Sequence, residues 1–340
     1  MPDWRRTKAQ CKQLEMQLKH FQATSRQQES LTHDEGSGMP RMADHKPLLI
    51  CHRGALGDFV LTWPTLLCLR RLLPDTPFLG LGKPDHLRLA QSLRLVDLSF
   101  DAESKELMGF FEGSSLPAVF GDPDGAVLWL ADGGGTAELL RPTATRPVVL
   151  IKPFPASPTT HIASYYLNTA ASAYPVTPPA DLATLFPWRP PGGKRNGVLI
   201  HPGSGSVKKN FSSTFYLSLA EVIEASFHVE VSFLLGPVEQ ERGESAAYQK
   251  TGKVIRPGSA VELAAALSQA TLLIGNDTGP THLAGALGVA VIALHKSTDP
   301  AIWGALGGGV THIAASDMAT ARSEALQHAR RVVLAAAIPA

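Results

Sequence analysis

Short apolar runs alternate with stretches of helical periodicity along this chain, and the pattern occurs twice, on either side of a proline-rich break. Before the break the apolar runs are PLLIC (47–51), PFLGLGK, AVLWLA (126–131) and PVVLIKP (147–153). Helical spacing fills the intervals with FVLTWPTLLCLRRLLPD, DHLRLAQSLR and GTAELLR, and ASYYLNTAASAY adds one more helix. After the break, strands are expected over 197–200, 229–235, 272–274 and 289–294, with helices over 213–225, 260–269 and 281–287. Such alternation implies a parallel sheet covered by helices, because a parallel crossover needs a helix to return the chain. The break itself, PVTPPADLATLFPWRPPGGKRN (175–196), has six prolines and a Gly pair and reads as a linker. Two α/β units facing a cleft are therefore expected, 47–190 and 191–340. The amphipathic TARSEALQHARRVVLAAA that closes the second could pack back on the first.

A chain of 340 residues can bury two cores. Its net charge of +1 argues against a nucleic-acid binder held by bulk electrostatics. The three cysteines, Cys11, Cys51 and Cys68, have no metal-ligand spacing and cannot all pair, which points to a reducing compartment. No apolar run approaches the roughly 20 residues of a membrane span. The start, MPDWRRTKAQCKQ, lacks the apolar core of a signal peptide, so a cytosolic protein is expected. Residues 1–46 read as an appendage, with Leu14, Leu18 and Phe21 at helical spacing before a charged, turn-forming half.

Three turns carry candidate chemistry. In IGNDTGPTHLAGALG, a strand breaks into a turn and Pro280 suits the first position of a helix, with Thr278 or Gly279 as cap. The open N–H groups of that first turn suit a phosphate, Gly275 and Gly279 allow close backbone approach, and His282 adds a donor. An ordinary capped helix would look the same. In VLIHPGSGSVKKNFSS, backbone N–H groups around Ser204 and Gly205 suit phosphate oxygens and the following lysines supply charge, although the P-loop spacing is absent. In RGALGDFVLTWP, Asp58 suits a helix cap and also a general base across the cleft, and the two roles are compatible.

GALGDFVLTWP, HPGSGSVKKN and GNDTGPTHLAGALGVAVIAL followed by STDP, in this order, resemble the signature of the family-9 glycosyltransferases, best known for ADP-heptose:lipopolysaccharide heptosyltransferases. The resemblance covers about 47–330. It implies the GT-B architecture, two Rossmann-like domains facing a central cleft, and inverting transfer of a sugar, heptose from ADP-heptose, to a lipopolysaccharide-core-type saccharide or glycolipid. It also implies no metal and no cofactor, and peripheral contact with the cytoplasmic membrane face. Carried onto this sequence, it makes Asp58 the base, Lys209 the cation for the leaving diphosphate, and Ser204 and Gly205 the loop beside it. Asp277, Thr278, Gly279 and His282 match the sugar- and phosphate-facing residues. Glu239 matches the acid that binds the ribose, with Glu241 a close rival. Leu294-His-Lys-Ser-Thr-Asp-Pro departs from the pattern, which usually has an aromatic and a small residue before TDP, and Lys209 is followed by Asn210-Phe211 rather than Trp-Pro.

Other signals read as structural. Asp122-Pro-Asp124 has the form of a DxD metal motif but lies in a turn sequence. His161 reads as a capping or surface histidine, and Lys83, His86 and Arg88 as a solvated face that could also meet an anionic acceptor. Two other activities suit the same residues: a nucleotide-sugar epimerase or hydrolase of this architecture, and a noncatalytic nucleotide-sugar-binding protein. Retention of Asp58 and Lys209 disfavours the second.

Overall fold

The computed structural model describes residues 46–188, 197–241, 245–249 and 253–336. Its first sheet contains β1 (Leu48–His52), β2 (Phe78–Gly82), β3 (Leu98–Asp101), β4 (Gly125–Trp129) and β5 (Val148–Ile151), in the order β3-β2-β1-β4-β5. The second contains β6 (Val198–His201), β7 (Val231–Leu234), β8 (Val254–Ile255), β9 (Leu272–Asn276), β10 (Ala290–His295) and β11 (Val310–Ala314), in the order β11-β10-β9-β6-β7-β8. Every described pairing is parallel. Strands β3, β8 and β11, which the apolar pattern did not reveal, all lie at sheet edges. Edge strands carry fewer buried side chains, and β3 buries none of its own.

The longer helices are α1 (Leu56–Leu72), α2 (Pro84–Ser92), α3 (Gly134–Leu140), α4 (Ile162–Ala171), α5 (Ser213–Phe227), α6 (Ala260–Gln269), α7 (Gly279–Ala286) and α8 (Met318–Ala336). None of the described helices is long and apolar enough to cross a membrane. The two lobes do not stand apart. One apolar core runs through both, joining Ile50, Phe59 and Trp63 to Leu273, Leu283 and Ala284. Helix α1 packs on α7, and α2 on α6, where the Asp85 carboxylate accepts the Ala260 backbone N–H at 2.8 Å.

Two expectations are corrected. The described part of the proline-rich stretch is a strap, not an open linker: Leu182, Leu185, Phe186 and Trp188 are buried, and Trp188 meets Trp63 edge to face at 5.4 Å. Helix α8 packs on the second sheet and on α5 rather than on the first lobe. Its Ala321, Ala325 and Ala329 recur every four residues and let the helix approach that core closely. The expected boundary at 190/191 and nearly all of the extension 1–46 lie outside the described residues.

Candidate active site

In open parallel sheets, ligands bind beyond the carboxyl ends of the strands where the strand order reverses. Here the order reverses between β1 and β4 in one sheet and between β6 and β9 in the other. The loop leading into Asp58, in the first turn of α1, follows β1, the Gly-Ser loop follows β6, and the Asn-Asp-Thr turn closes β9. All three meet at a cavity of about 420 Å³, lined by Asp58 from the first lobe and by Gly205, Lys209, Asp277, Thr278, Gly279 and His282 from the second. An adjoining cavity of about 310 Å³ is lined by Ser204, Gly205 and Glu239.

Asp277 organises the second-lobe side. Its carboxylate accepts Lys209 Nζ at 2.8 Å and His282 Nε2 at 3.0 Å. Burial alone would raise the Asp277 pKa, but the hydrogen bonds and charges of His282 and Lys209 outweigh it and hold the carboxyl well below the usual range. Helix α7 starts from Thr278 without a side-chain cap, so the N–H end of its dipole is left to the cavity side.

Asp58 is not the helix cap. Helix α1 begins at Leu56 from Ala55, which places Asp58 at the third helical position. There its carboxylate accepts the Ala55 backbone N–H. The helix starts before its first periodic apolar residue, Phe59, and this early start is why the sequence misplaces the cap. Burial raises the Asp58 pKa and the neighbouring Asp277 charge adds to this; His282, Ala55 and Lys209 oppose the shift but do not cancel it. A carboxyl tuned upward beside a cationic, amide-rich wall can serve as a general base.

The glycines serve a different purpose from the one the sequence suggests. Gly275 lies inside β9, where a Cβ would meet Thr281 Oγ1 at 2.9 Å. Gly279 faces the other lobe: its Cβ would lie 3.0 Å from Leu56 Cβ and 3.3 Å from the Gly57 nitrogen. Close approach here is between helices, whereas Gly205 faces open space. The Ser204 hydroxyl is used inside its own loop, where it donates to Asn210 Oδ1 at 2.6 Å. Glu239 is buried against Gly203, where any Cβ would collide with its carboxylate, and it accepts the Gly236 N–H at 2.6 Å. Its rival Glu241 is exposed.

Several residues in the site had no assigned role. Buried Asn276 donates to the Pro202 carbonyl at 2.9 Å and accepts from Tyr216 Oη at 2.7 Å, joining the loop after β6 to the turn after β9. It stands in GNDTGP, so the turn motif contained it. The departures from the family pattern are also engaged: Lys296 Nζ donates to the Asn210 carbonyl at 2.9 Å, and His295 pairs with Thr298 and His312. His161 caps α4, accepting the Ala163 N–H, and its Nε2 donates to the Gly304 carbonyl at 2.9 Å, joining the lobes. Asp124 accepts from Thr145 and pairs with Arg146, a structural use of the DxD-like turn. Among the described residues, no three of His, Cys, Asp and Glu are grouped to hold a metal ion.

Comparison with solved structures defines the fold. The chain superposes on a family-9 glycosyl transferase from Veillonella parvula with a TM-score of 0.68 at 18% identity, covering 86% of this chain and 98% of that one. It matches the E. coli heptosyltransferase WaaC, solved with ADP, at TM-score 0.65 and 16% identity, covering 84% and 99%. E. coli ADP-heptose lps heptosyltransferase II matches at TM-score 0.65 and 14% identity, covering 85% and 99%. The fold is thus GT-B. A search of curated proteins gave no match. The family model of glycosyltransferase family 9 (heptosyltransferase) matches residues 159–331, and the chain belongs to this family of glycosyltransferases.

Proposed function

We propose that the protein transfers heptose from ADP-heptose to a hydroxyl of a lipopolysaccharide-core-type acceptor, with inversion and without a metal ion, at the cytoplasmic face of the membrane. The carrying observation is the pairing of opposite chemistries in one cavity. Among the described residues, Asp58 is the only carboxylate the first lobe contributes to its lining, and Lys209 and the uncapped start of α7 stand on the second-lobe side. The donor class is supported by the solved relatives, one E. coli WaaC structure containing ADP and another ADP-2-deoxy-2-fluoro heptose.

In this reading Asp58 takes the proton of the acceptor hydroxyl as its oxygen attacks the anomeric carbon. The bond from that carbon to the diphosphate oxygen breaks on the opposite face, and ADP leaves with the bonding electrons. Lys209 and the α7 N–H groups receive the developing negative charge, the kind of preorganised stabilisation that contributes most to such reactions. Ser204 and Gly205 shape the loop beside the diphosphate, Asp277 and His282 hold Lys209 and the sugar side in place, and Glu239 accepts hydrogen bonds from the ribose hydroxyls. Thermal unfolding with ADP or ADP-heptose in the presence of a chelator tests the donor and metal claims. Each ligand at 100 times its Kd should stabilise the fold by about 2.7 kcal/mol. No stabilisation by either, or stabilisation that returns only with magnesium, contradicts the proposal.

A further inference from the structure

Two aromatic side chains line the same cavity as Asp58 and Lys209 and have no part in the chemistry above: Phe154 from the first lobe and Trp303 from the second. Their ring centroids are 5.9 Å apart, with planes inclined by 36°. Phe154 is 61% exposed although it stands beside Trp303, so much of its apolar ring is open to the cavity. Its backbone is nevertheless stiff. Phe154 lies between Pro153 and Pro155, and the Pro153 carbonyl accepts Tyr166 Oη at 2.6 Å. Trp303 is also fixed. It ends the helical turn Pro300–Trp303, whose cap Asp299 accepts the Ala301 N–H at 2.9 Å, and the adjacent Gly304 carbonyl is held by His161. Each lobe thus presents one ring on a rigid support.

The cavity has two chemistries. Lys209 and the start of α7 suit an anion, while Phe154, Trp303 and Leu61 give an apolar side. A sugar joined to a diphosphate has both characters, because the C–H bonds on one face of its ring carry slight positive charge and suit the negative face of an aromatic ring. The adjoining 310 Å³ cavity, with Glu239, has no Phe, Tyr or Trp among the described residues that line it and is left for the nucleoside. We propose that Phe154 and Trp303 form the subsite for the donor's sugar ring and hold it between the lobes with its anomeric carbon toward Asp58. This rests on the nucleotide-sugar reading above.

The test is calorimetric titration of ADP and of ADP-heptose into the full chain and into Phe154→Ala and Trp303→Ala, with Phe154→Tyr and Trp303→Phe as aromatic replacements. Each alanine variant should bind ADP-heptose roughly 10-fold more weakly than the native chain and ADP about equally well, and the aromatic replacements should restore most of the loss. Melting temperatures of the same samples show whether a variant is folded: truncating the exposed Phe154 leaves no core cavity, and for Trp303, partly buried against the shared core, Trp303→Phe separates loss of the ring from loss of packing. An equal loss for both ligands, or a loss for neither, overturns the subsite while leaving the nucleotide reading intact. Failure of the native chain to bind either ligand overturns both.

Discussion

Asp277 and Asp58 are two carboxylates of one cavity whose protonation is driven in opposite directions. Asp277, held low by His282 and Lys209, stabilises the fold above its unfolded pKa, and that contribution is lost as pH falls through the folded value. Asp58, held high chiefly by burial, becomes a base only as pH rises through a value above the ordinary carboxylate. The profile of kcat/KM should therefore rise with pH along an acidic limb displaced above the usual aspartate range. A limb at the ordinary value, or none, would count against Asp58 as the base. Lys209 is shared between Asp277 and the proposed diphosphate, so a ligand must compete for it. Lys209→Ala should weaken ADP binding by about 10- to 100-fold, the range of a lost charge-assisted hydrogen bond, without unfolding the chain. Titration of ADP measures this, and unchanged affinity would remove the lysine from the site.

Helices α1 and α7 both begin without a side-chain cap, and their first turns touch through Gly57 and Gly279. The contact lies in the same cavity as Asp58 and the proposed diphosphate side. Gly279→Ala places a methyl 3.0 Å from Leu56 Cβ, a tight contact that the packed helices must relieve by a few tenths of an ångström. We expect a loss of about 1–3 kcal/mol in stability and a fall in kcat larger than the fall in ADP affinity, because any such adjustment moves the proposed base relative to the proposed nucleotide site on the other lobe. Gly205→Ala, whose Cβ would meet nothing, should leave the melting temperature unchanged. Equal melting temperatures for the two variants would show that the helix contact is not tight. The three turns were legible in the sequence because glycine, proline and hydroxyl residues punctuate strands followed by helices. The reason for Gly279 was not, because its neighbour belongs to the other lobe, 222 positions away at Gly57 (279 − 57). The strap was missed for a related reason: its prolines mask Phe186 and Trp188, whose burial depends on Trp63.

At the scale of the molecule, the lobes are joined by the α1–α7 packing, by Asp85 with Ala260, and by His161 with Gly304, so the proposed base of one lobe is fixed against the proposed anion site of the other. The two-lobed α/β plan followed from the repeated strand and helix rhythm; the closure did not, since polar bridges such as Asp85 to a backbone N–H leave no mark in sequence. The account depends most on Asp58 acting across that junction. Asp58→Asn keeps an oxygen that can accept the Ala55 N–H and removes a charge that burial disfavours, so the melting temperature at neutral pH should hold or rise. Initial rate, ADP-heptose affinity and melting temperature, measured on one preparation of Asp58→Asn, form the most direct test. The account predicts a rate at least about 100-fold lower with affinity and melting temperature near native values. A near-native rate would contradict it and leave Asp58 as a brace for the start of α1.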